Sequence, residues 1–328
     1  MIDFDYINAS SVSEASSVLA SHNAWIIAGG TEVLNLRLKN NIYPQALFPD
    51  TLVNIKTIPG LNNINESSSA LDIGALTKLS AINNSATVQS KYTALAQAAG
   101  APAYVEVRNL GTIGGNICQP VECWYYRTPY VRFNCHRKTP ANPCYALLGD
   151  NRYHSIFGLL EGCAAVHPAD TVAALVALNA SVKTSKRTIA IENFFTFNNL
   201  FSTVLDKDEI VTSIQVPTPV AGTKSASIKY SIKKVEFPVV SAAAAITVSG
   251  GTVTAARICM NAVYNLPIRA TGAEQAIIGK AINETNADAA GSAAVASAAP
   301  LPLIEGPGNG WIIPSAKAIV KRVILACQ

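Results

Sequence analysis

Charged residues are scarce in this chain. Of its 328 residues, 14% are Asp, Glu, Lys or Arg, whereas 49% are hydrophobic. This composition predicts a folded protein with large buried surfaces, and it is consistent with a chain that is partly covered within a complex. The net charge is only +4, and the basic residues form no stripe of the kind that binds nucleic acid. We therefore expect no nucleic-acid partner.

Long apolar runs are missing as well. The longest, such as residues 239–248, are rich in alanine and too short to span a bilayer. The first six residues have neither the basic start nor the apolar core of a signal peptide. We therefore expect no membrane association. We expect folding in the cytoplasm, followed by residence there or in the periplasm if a signal-bearing partner subunit exports the folded chain.

The usual catalytic and nucleotide patterns are also absent. No general acid–base pair and no nucleophile stands out. Neither the dinucleotide pattern G-x-G-x-x-G nor the P-loop pattern G-x-x-x-x-G-K-[ST] occurs, so nicotinamide and ATP binding have no support. The cysteines number seven, and an odd count argues against a disulfide framework.

Two glycine turns are the first positive signals. Residues 24–28 form a short apolar run that predicts a buried strand. Gly29-Gly30-Thr31 follows, and residues 32–39 predict a helix, so this turn favours a phosphate site. The second turn, at residues 112–116 (TIGGN), can present successive backbone N–H groups to an anion. Taken alone, it is equally compatible with an ordinary loop.

Five cysteines lie close behind the second turn. Four of them have the spacing C-x11-C-x8-C-x18-C, which lacks the C-x2–4-C pair of most zinc sites: Cys123, Cys135, Cys144 and Cys163. Their loop has little apolar periodicity and would not order well on its own apolar contacts. An iron–sulfur cluster needs four thiolates, which a long loop can supply. The alternative is free, buried or unrelated thiols.

Other residues of this stretch have simpler interpretations. Cys118 follows the second turn directly, and we interpret it as a buried thiol. His136 and His154 are lone loop histidines, for which a structural role is the more common one. A small basic group is interpreted as part of a solvated loop: Arg132, His136, Arg137 and Lys138.

The pattern of strands and helices predicts an α+β fold. Ser11-x-x-Glu14 is typical of a capping box at a helix start, and residues 71–75 alternate as a strand does. In the C-terminal third, two strands flank the hairpin signal at residues 249–252. Three helices follow them, so that third is a sheet with helices beside it.

Four short segments carry a family resemblance: residues 28–31 (AGGT), 73–75 (IGA), 108–116 (RNLGTIGGN) and 167–170 (HPAD). They resemble the FAD-binding medium subunit of molybdenum hydroxylases, the family of xanthine dehydrogenase and carbon monoxide dehydrogenase. The resemblance extends over essentially the whole chain. It implies an FAD-binding domain at residues 1–221, with vanillyl-alcohol-oxidase-like subdomains at about 1–54 and 55–221. A smaller α+β domain is then expected at residues 222–328.

The resemblance also implies the FAD contacts. The first turn matches the family's pyrophosphate-binding segment: Ile27, Ala28, Gly29, Gly30, Thr31, Glu32 and Val33. The second turn contributes Thr112, Gly115 and Asn116. Asp170 matches an acidic residue that binds ribityl or ribose hydroxyls, although it also suits a helix N-cap. Lys229 matches a lysine near the flavin.

The cysteine-bearing insertion, at about residues 118–163, resembles one found in only some members of the family. These are the flavin subunits of 4-hydroxybenzoyl-CoA reductase and of periplasmic aldehyde oxidoreductase, the latter being the closer. In those subunits the insertion holds a [4Fe–4S] cluster. The resemblance therefore implies that Cys123, Cys135, Cys144 and Cys163 are the cluster ligands.

The implied function is electron transfer within a heterotrimer. Substrate oxidation would take place on a large subunit that carries the molybdenum cofactor. Electrons would reach this FAD from [2Fe–2S] centres on a small subunit and leave to an external acceptor. The cluster would be a relay or a brace, and the cofactors would supply the redox chemistry. Two alternatives are a stand-alone vanillyl-alcohol-type flavin oxidase and a non-catalytic scaffold with zinc in the cysteine loop.

Overall fold

A computed structural model describes residues 3–198, 200–302 and 308–328. The N-terminal unit is a small parallel sheet of strand order β1-β3-β2 with one helix beside it. Ser11 is the N-cap of that helix, and its Oγ accepts a hydrogen bond from the Glu14 N–H at 3.1 Å, as predicted. The elements are β1 (Asp5–Asn8), α1 (Val12–Ser21), β2 (Ala24–Ile27) and β3 (Thr51–Asn54).

The second unit is built on a five-stranded antiparallel sheet of order β4-β5-β10-β6-β7, accompanied by a two-stranded β8-β9 sheet. Its elements are β4 (Ile64–Glu66), β5 (Ala70–Gly74), α2 (Leu79–Asn84), α3 (Ala86–Lys91), α4 (Thr93–Gly100), α5 (Val105–Leu110), α6 (Ile113–Ile117), α7 (Trp124–Arg127), α8 (Asp170–Ala177), β6 (Ser181–Thr184), β7 (Thr188–Ala190), β8 (Phe195–Asn198), β9 (Phe201–Thr203) and β10 (Val211–Pro217).

The C-terminal unit is a four-stranded antiparallel sheet of order β11-β12-β13-β14, against which helices of this unit pack. Its hairpin pairs Ser249 with Thr252 across Gly250 and Gly251, both of which have positive φ. The predicted hairpin is therefore confirmed. The elements are β11 (Thr223–Tyr230), β12 (Val240–Ser249), β13 (Thr252–Asn261), β14 (Ile268–Arg269), α9 (Thr271–Ile277), α10 (Glu284–Ala294) and α11 (Ile312–Leu325).

Helix α8 joins the second and third units. Its residues are apolar on every side except at its start, and all eight are buried, as is usual for a helix of that pattern. It packs against α4 on one side and against β12 and β13 on the other. The α+β fold class is thus confirmed, with the sheets of both larger units meeting around one helix. Within the described ranges, no helix is long and apolar enough to cross a membrane.

The cysteine-bearing insertion leaves the second unit and returns to it at one point. Glu122 and Val166 exchange backbone hydrogen bonds of 2.8 and 3.1 Å, so the two ends of the insertion lie side by side. Between them the chain is largely irregular, apart from α7 and two short 3-10 turns. Some of its buried residues pack on aromatic side chains of the N-terminal unit, including Trp25 and Tyr43, whereas Ile156 packs in the core of the C-terminal unit.

Candidate functional site

A cavity of about 1260 Å³ is walled by all three units. This is larger than the roughly 300–1,000 Å³ of most small-ligand pockets, and it suits an extended ligand. Eleven of the twelve predicted FAD contacts line it: Ala28, Gly29, Gly30, Thr31, Glu32, Val33, Thr112, Gly115, Asn116, Asp170 and Lys229. The twelfth, Ile27, is not on the cavity wall. Its side chain is buried in the hydrophobic core beside β2, and its carbonyl accepts a hydrogen bond from the Ile55 N–H.

The first glycine turn is pressed against the segment that precedes the second. A Cβ atom on Gly29 would lie 2.2 Å from the carbonyl oxygen of Leu110, so only glycine permits this approach. Gly30 has a φ of +75°, which also favours glycine. Among the described residues, the N–H groups of Gly29, Gly30 and Thr31 donate to no protein acceptor. They are therefore available to an anion in the cavity.

The helix predicted after the first turn is a π-helix. It runs over Val33–Leu38, with the Arg37 N–H bonded to the Glu32 carbonyl and the Lys39 N–H to the Leu34 carbonyl. Single π-helical turns occur frequently at functional sites. The periodicity of residues 32–39 indicates a helix but does not distinguish the two kinds.

The second turn opens the short helix α6. Thr112 is its N-cap, with Oγ1 accepting from the Gly115 N–H at 3.1 Å. Gly114 lies against Ala75, the residue that follows β5. Its N–H donates to the Ala75 carbonyl at 2.9 Å, and an added Cβ would lie 2.9 Å from the same oxygen. At Gly115 an added Cβ would meet only Thr112 Oγ1. Its backbone is thus the open side of the turn.

The second turn is tied to the start of α8 by side chains. Asn116 Oδ1 accepts a hydrogen bond from Thr171 Oγ1 at 2.6 Å. Helix α8 begins at Asp170 with Ala169 as its N-cap residue, so the interpretation of Asp170 as an N-cap is wrong. That carboxylate faces the cavity instead.

Asp170 forms a buried ion pair with one oxygen left over. Its Oδ2 lies 3.2 Å from Lys229 Nζ, which also donates to the Ala101 carbonyl at 3.3 Å. Its Oδ1 is buried without a hydrogen-bond partner among the described residues. Burial raises the pKa of Asp170 to about 6, and Lys229 opposes that rise. A ligand hydroxyl on this wall would satisfy the free oxygen.

Glu32 is held by cations from two directions. Its carboxylate lies 3.6 Å from Arg37 Nε and 3.3 Å from Arg127 Nη1, and Arg127 Nε lies 2.6 Å from Glu122. Burial acts to lower the pKa of Arg127, but the carboxylates of Glu32 and Glu122 outweigh it and raise the pKa. The role of Arg127 was not foreseen, since nothing in the sequence links α7 to the first turn.

The four cysteines of the spaced set line one small cavity, although they come from separate parts of the insertion. Burial raises the pKa values of the Cys123, Cys135 and Cys163 thiols. In the portion of the chain that the structure describes, no three His, Cys, Asp or Glu side chains form a group that could hold a metal ion. The role of the four thiols as ligands therefore stays a prediction.

Hydrogen-bond donors surround these thiols. His154 Nε2 lies 3.2 Å from Cys123 Sγ, Arg137 Nη1 lies 3.7 Å from Cys163 Sγ, and the Ala165 N–H points to the same sulfur at 3.4 Å. Such donors stabilise sulfur when it carries negative charge. Burial lowers the pKa of His154 to about 4.

Two expectations for the insertion are settled by its packing. The nitrogens of His136 contact the carbonyls of Pro140 and Glu161 at 3.1 and 2.7 Å, so this residue has a structural role, as predicted. The interpretation of the basic group as a solvated loop is wrong for Arg137 and Lys138, whose exposed fractions are 2% and 5%. Long-range contacts bury them, and their charge gave no sign of it.

The two cavities share a wall. Cys123 lines both, whereas His154, which contacts its sulfur, lines the larger one. Cys118 lines the larger cavity and not the cysteine cavity, and burial raises its pKa to about 12. It is therefore not a fifth member of the cysteine group.

The chain resembles known proteins over its whole length. The model of the FAD binding domain in molybdopterin dehydrogenase matches residues 2–219, and that of the CO dehydrogenase flavoprotein C-terminal domain matches residues 229–307. The aldehyde oxidoreductase FAD-binding subunit PaoB of Escherichia coli is 29% identical over 83% of this chain and 85% of its own. The carbon monoxide dehydrogenase medium chain of Hydrogenophaga pseudoflava is 27% identical over 98% of this chain and 96% of its own.

The solved structures agree. That of carbon monoxide dehydrogenase from Hydrogenophaga pseudoflava aligns with a TM-score of 0.76 and 28% identity, covering 100% of this chain and 98% of the other. The fold and the cavity thus define an FAD-binding subunit of an oxidoreductase. More specifically, the chain belongs to the family of FAD-binding medium subunits of molybdenum hydroxylases.

Proposed function

We propose that this chain is the FAD- and [4Fe–4S]-carrying electron-transfer subunit of a molybdenum-containing aldehyde oxidase or dehydrogenase. One observation carries the proposal beyond the family assignment. The cysteines predicted as cluster ligands line a single cavity, and that cavity shares Cys123 with the cavity of the predicted FAD contacts. A subunit with only a flavin has no need of such an arrangement.

The larger cavity fits FAD. Two glycine turns meet at Gly29, and the free N–H groups of the first turn suit a pyrophosphate. The unpartnered Oδ1 of Asp170 suits a ribityl or ribose hydroxyl, and Lys229 holds the other carboxylate oxygen in place. When bound, the flavin supplies the electron exchange, and these residues position it and exclude water from its phosphates.

We assign the smaller cavity to a cluster and not to zinc, because the spacing of its four cysteines lacks the C-x2–4-C pair of most zinc sites. In a [4Fe–4S] cluster each thiolate binds a different iron, so the thiolates surround the cluster. Cys123, Cys135, Cys144 and Cys163 would be those four ligands.

The relatives support the proposed partners and substrate. The similarity to the aldehyde oxidoreductase subunit of E. coli supports an aldehyde as substrate. A large subunit with the molybdenum cofactor would oxidise it, and a small [2Fe–2S] subunit would deliver the electrons to this chain. The acceptor would be an external molecule. The assembly would reside in the cytoplasm, or in the periplasm if a signal-bearing partner carries this chain across.

The test is a cofactor analysis of the purified chain and of its Cys135→Ser variant. We expect one FAD with about four irons and four sulfides per polypeptide, and loss of the iron and sulfide but not of the FAD in the variant. FAD without iron in the wild type would refute the cluster and leave a flavin-only subunit. Zinc without sulfide would favour the scaffold alternative.

A variant that lacks the cluster also shows whether the cluster carries electrons or only holds the loop in place. Flavin reduction by the partner subunits and its reoxidation by the acceptor can be followed by stopped-flow absorbance. If the cluster is an obligatory relay, the Cys135→Ser complex loses turnover with the acceptor while its flavin is still reduced. Normal turnover in that complex would exclude an obligatory role.

A further inference from the structure

Two buried basic residues lie close to one of the four cysteines in the sequence. Arg137 and Lys138 come two and three residues after Cys135, and both are almost fully buried. A cationic side chain is costly to bury without a compensating charge. The burial of Lys138 beside the cysteine cavity therefore needs a physical reason.

Arg137 has several contacts that hold its guanidinium in place. Besides Cys163 Sγ at 3.7 Å, its guanidinium donates to Asn265 Oδ1 at 3.2 Å and to the Phe201 carbonyl at 3.1 Å. It also lies 4.5 Å from the centre of the Phe197 ring. These contacts fix the guanidinium at the edge of the cysteine cavity.

Lys138 has fewer contacts. Its Nζ donates to the Phe133 carbonyl at 3.2 Å and lies 5.6 Å from the Tyr126 ring centre. Among the residues that the structure describes, no carboxylate forms an ion pair with it. The nearby groups that can carry negative charge are Cys135 and Cys123, which interact with it electrostatically.

A bound anionic group in the cysteine cavity would resolve this imbalance. Four thiolates around an iron–sulfur core leave the cluster with net negative charge, and reduction adds one more negative charge. A fixed cation stabilises the more negative form to a greater extent, and net charge is one of the main determinants of cluster potential. The cations would therefore favour both retention of the cluster and its reduction.

Resting on the proposed function, we infer that Lys138, with Arg137, is the built-in countercharge of the cysteine site and raises the reduction potential of the cluster held there. Both are positioning residues, since neither supplies a ligand atom to iron. Lys138 is the better one to test, because the other contacts of Arg137 also hold β9 and residue 265 in place.

The experiment compares three variants of the holo-protein: Lys138→Met, Lys138→Arg and Arg132→Met. Arg132 is an exposed residue of the same insertion, so its substitution removes the same charge where water screens it. The readouts are iron and sulfide content and the midpoint potential of the cluster from an EPR-monitored redox titration. We expect Lys138→Met to disfavour reduction at least tenfold, a shift of about 59 mV to lower potential for one electron. The other two variants should stay near the wild type.

The outcomes separate the two proposals. Loss of iron and sulfide from Lys138→Met but not from Lys138→Arg would also support a countercharge. A full cluster at wild-type potential in Lys138→Met would overturn the inference, as would a Lys138→Arg variant that behaves like Lys138→Met. Absence of iron and sulfide from the wild type would instead overturn the proposed function, and the inference with it.

Discussion

The larger cavity, in which we propose that FAD binds and which we call the flavin cavity, shares Cys123 with the cysteine cavity. The two cavities differ in whether backbone or side-chain groups form their distinctive contacts. The flavin cavity depends on backbone, with Gly29 in contact with the Leu110 carbonyl and free N–H groups turned inward. The cysteine cavity depends on side chains, including thiols and buried cations such as Lys138. We therefore expect the flavin cavity to be most sensitive to atoms added at its glycines, and the cysteine cavity to the loss of its buried charges.

The largest expected loss of stability comes from Arg127, which links the cysteine-bearing insertion to Glu32 of the first glycine turn. Arg127→Met would leave Glu32 and Glu122 as partly buried carboxylates without their shared cation. Breaking a fully buried pair costs about 3–5 kcal/mol of unfolding free energy, so for this partly buried network we expect a loss of about 3 kcal/mol, measurable by chemical denaturation. Arg152→Met is the matched control, because it removes the same charge from a half-exposed pair with Asp150 that contributes about 0–1 kcal/mol. Equal losses in both variants would show that the network does not join the sites.

An added methyl group should break the flavin site. In Gly29→Ala the new Cβ would lie 2.2 Å from the Leu110 carbonyl oxygen, so the two glycine turns must separate. We expect a loss of about 1–3 kcal/mol in stability and a loss of FAD from the purified protein, with iron and sulfide retained. Gly310→Ala is the control, since a Cβ there meets nothing within 4 Å. Unchanged FAD content in Gly29→Ala would contradict a backbone-built flavin site.

A smaller effect should appear as a pH dependence of FAD binding. Burial raises the pKa of Asp170 to about 6, and ligand hydroxyls favour its ionised form. FAD affinity should therefore rise as the pH increases through about 6. Asp170→Asn should bind FAD about tenfold more weakly, a loss of about 1.4 kcal/mol, with no such dependence. Fluorescence titration of the FAD-free protein measures both.

The FAD-free protein should show the opposite trend in stability. The folded-state pKa of Asp170 lies above the ordinary 3.8, so the folded state holds this proton more tightly than the unfolded state. The stabilisation is complete below about pH 4 and is lost as the pH rises through about 6. Asp72→Asn, at a half-exposed pair with Lys183, should change neither trend. A flat pH profile in the wild type would contradict the assignment of Asp170.

Local patterns predicted the two glycine turns. Glycine turns, strand ends and helix starts are encoded within a few residues, and the contacts predicted at residues 28–33 and at Thr112, Gly115 and Asn116 do line the larger cavity. That they bind FAD stays a prediction. Ile27 lies off the cavity wall, because the strand places its side chain in the core, and its contact with FAD stays a prediction. Asp170 and Lys229 needed the family resemblance, since 58 residues separate them in the sequence.

The surroundings of the cysteines could not be predicted in the same way. The four thiols were singled out by their spacing and by family resemblance. The burial of Arg137 and Lys138, and the pairing of Arg127 with Glu32, depend on how an irregular loop folds back on two other units. Because the loop is irregular, its hydrophobic pattern has no helical or strand periodicity from which such contacts could be predicted. A basic group of this kind has the same sequence signature whether it is solvated or buried.

The paired hydrogen bonds between Glu122 and Val166 have a consequence for how this chain acquired its second cavity. Because the ends of the insertion lie side by side, a short connection could join Glu122 to Val166 in place of residues 123–165. The entropy of closing a loop between fixed ends grows only slowly with its length. The insertion is nevertheless tied to both other units, because Ile156 packs in the core of the C-terminal unit and Arg127 pairs with Glu32. Its gain or loss would therefore require new packing on those contacts as well as on the aromatic surface around Trp25 and Tyr43.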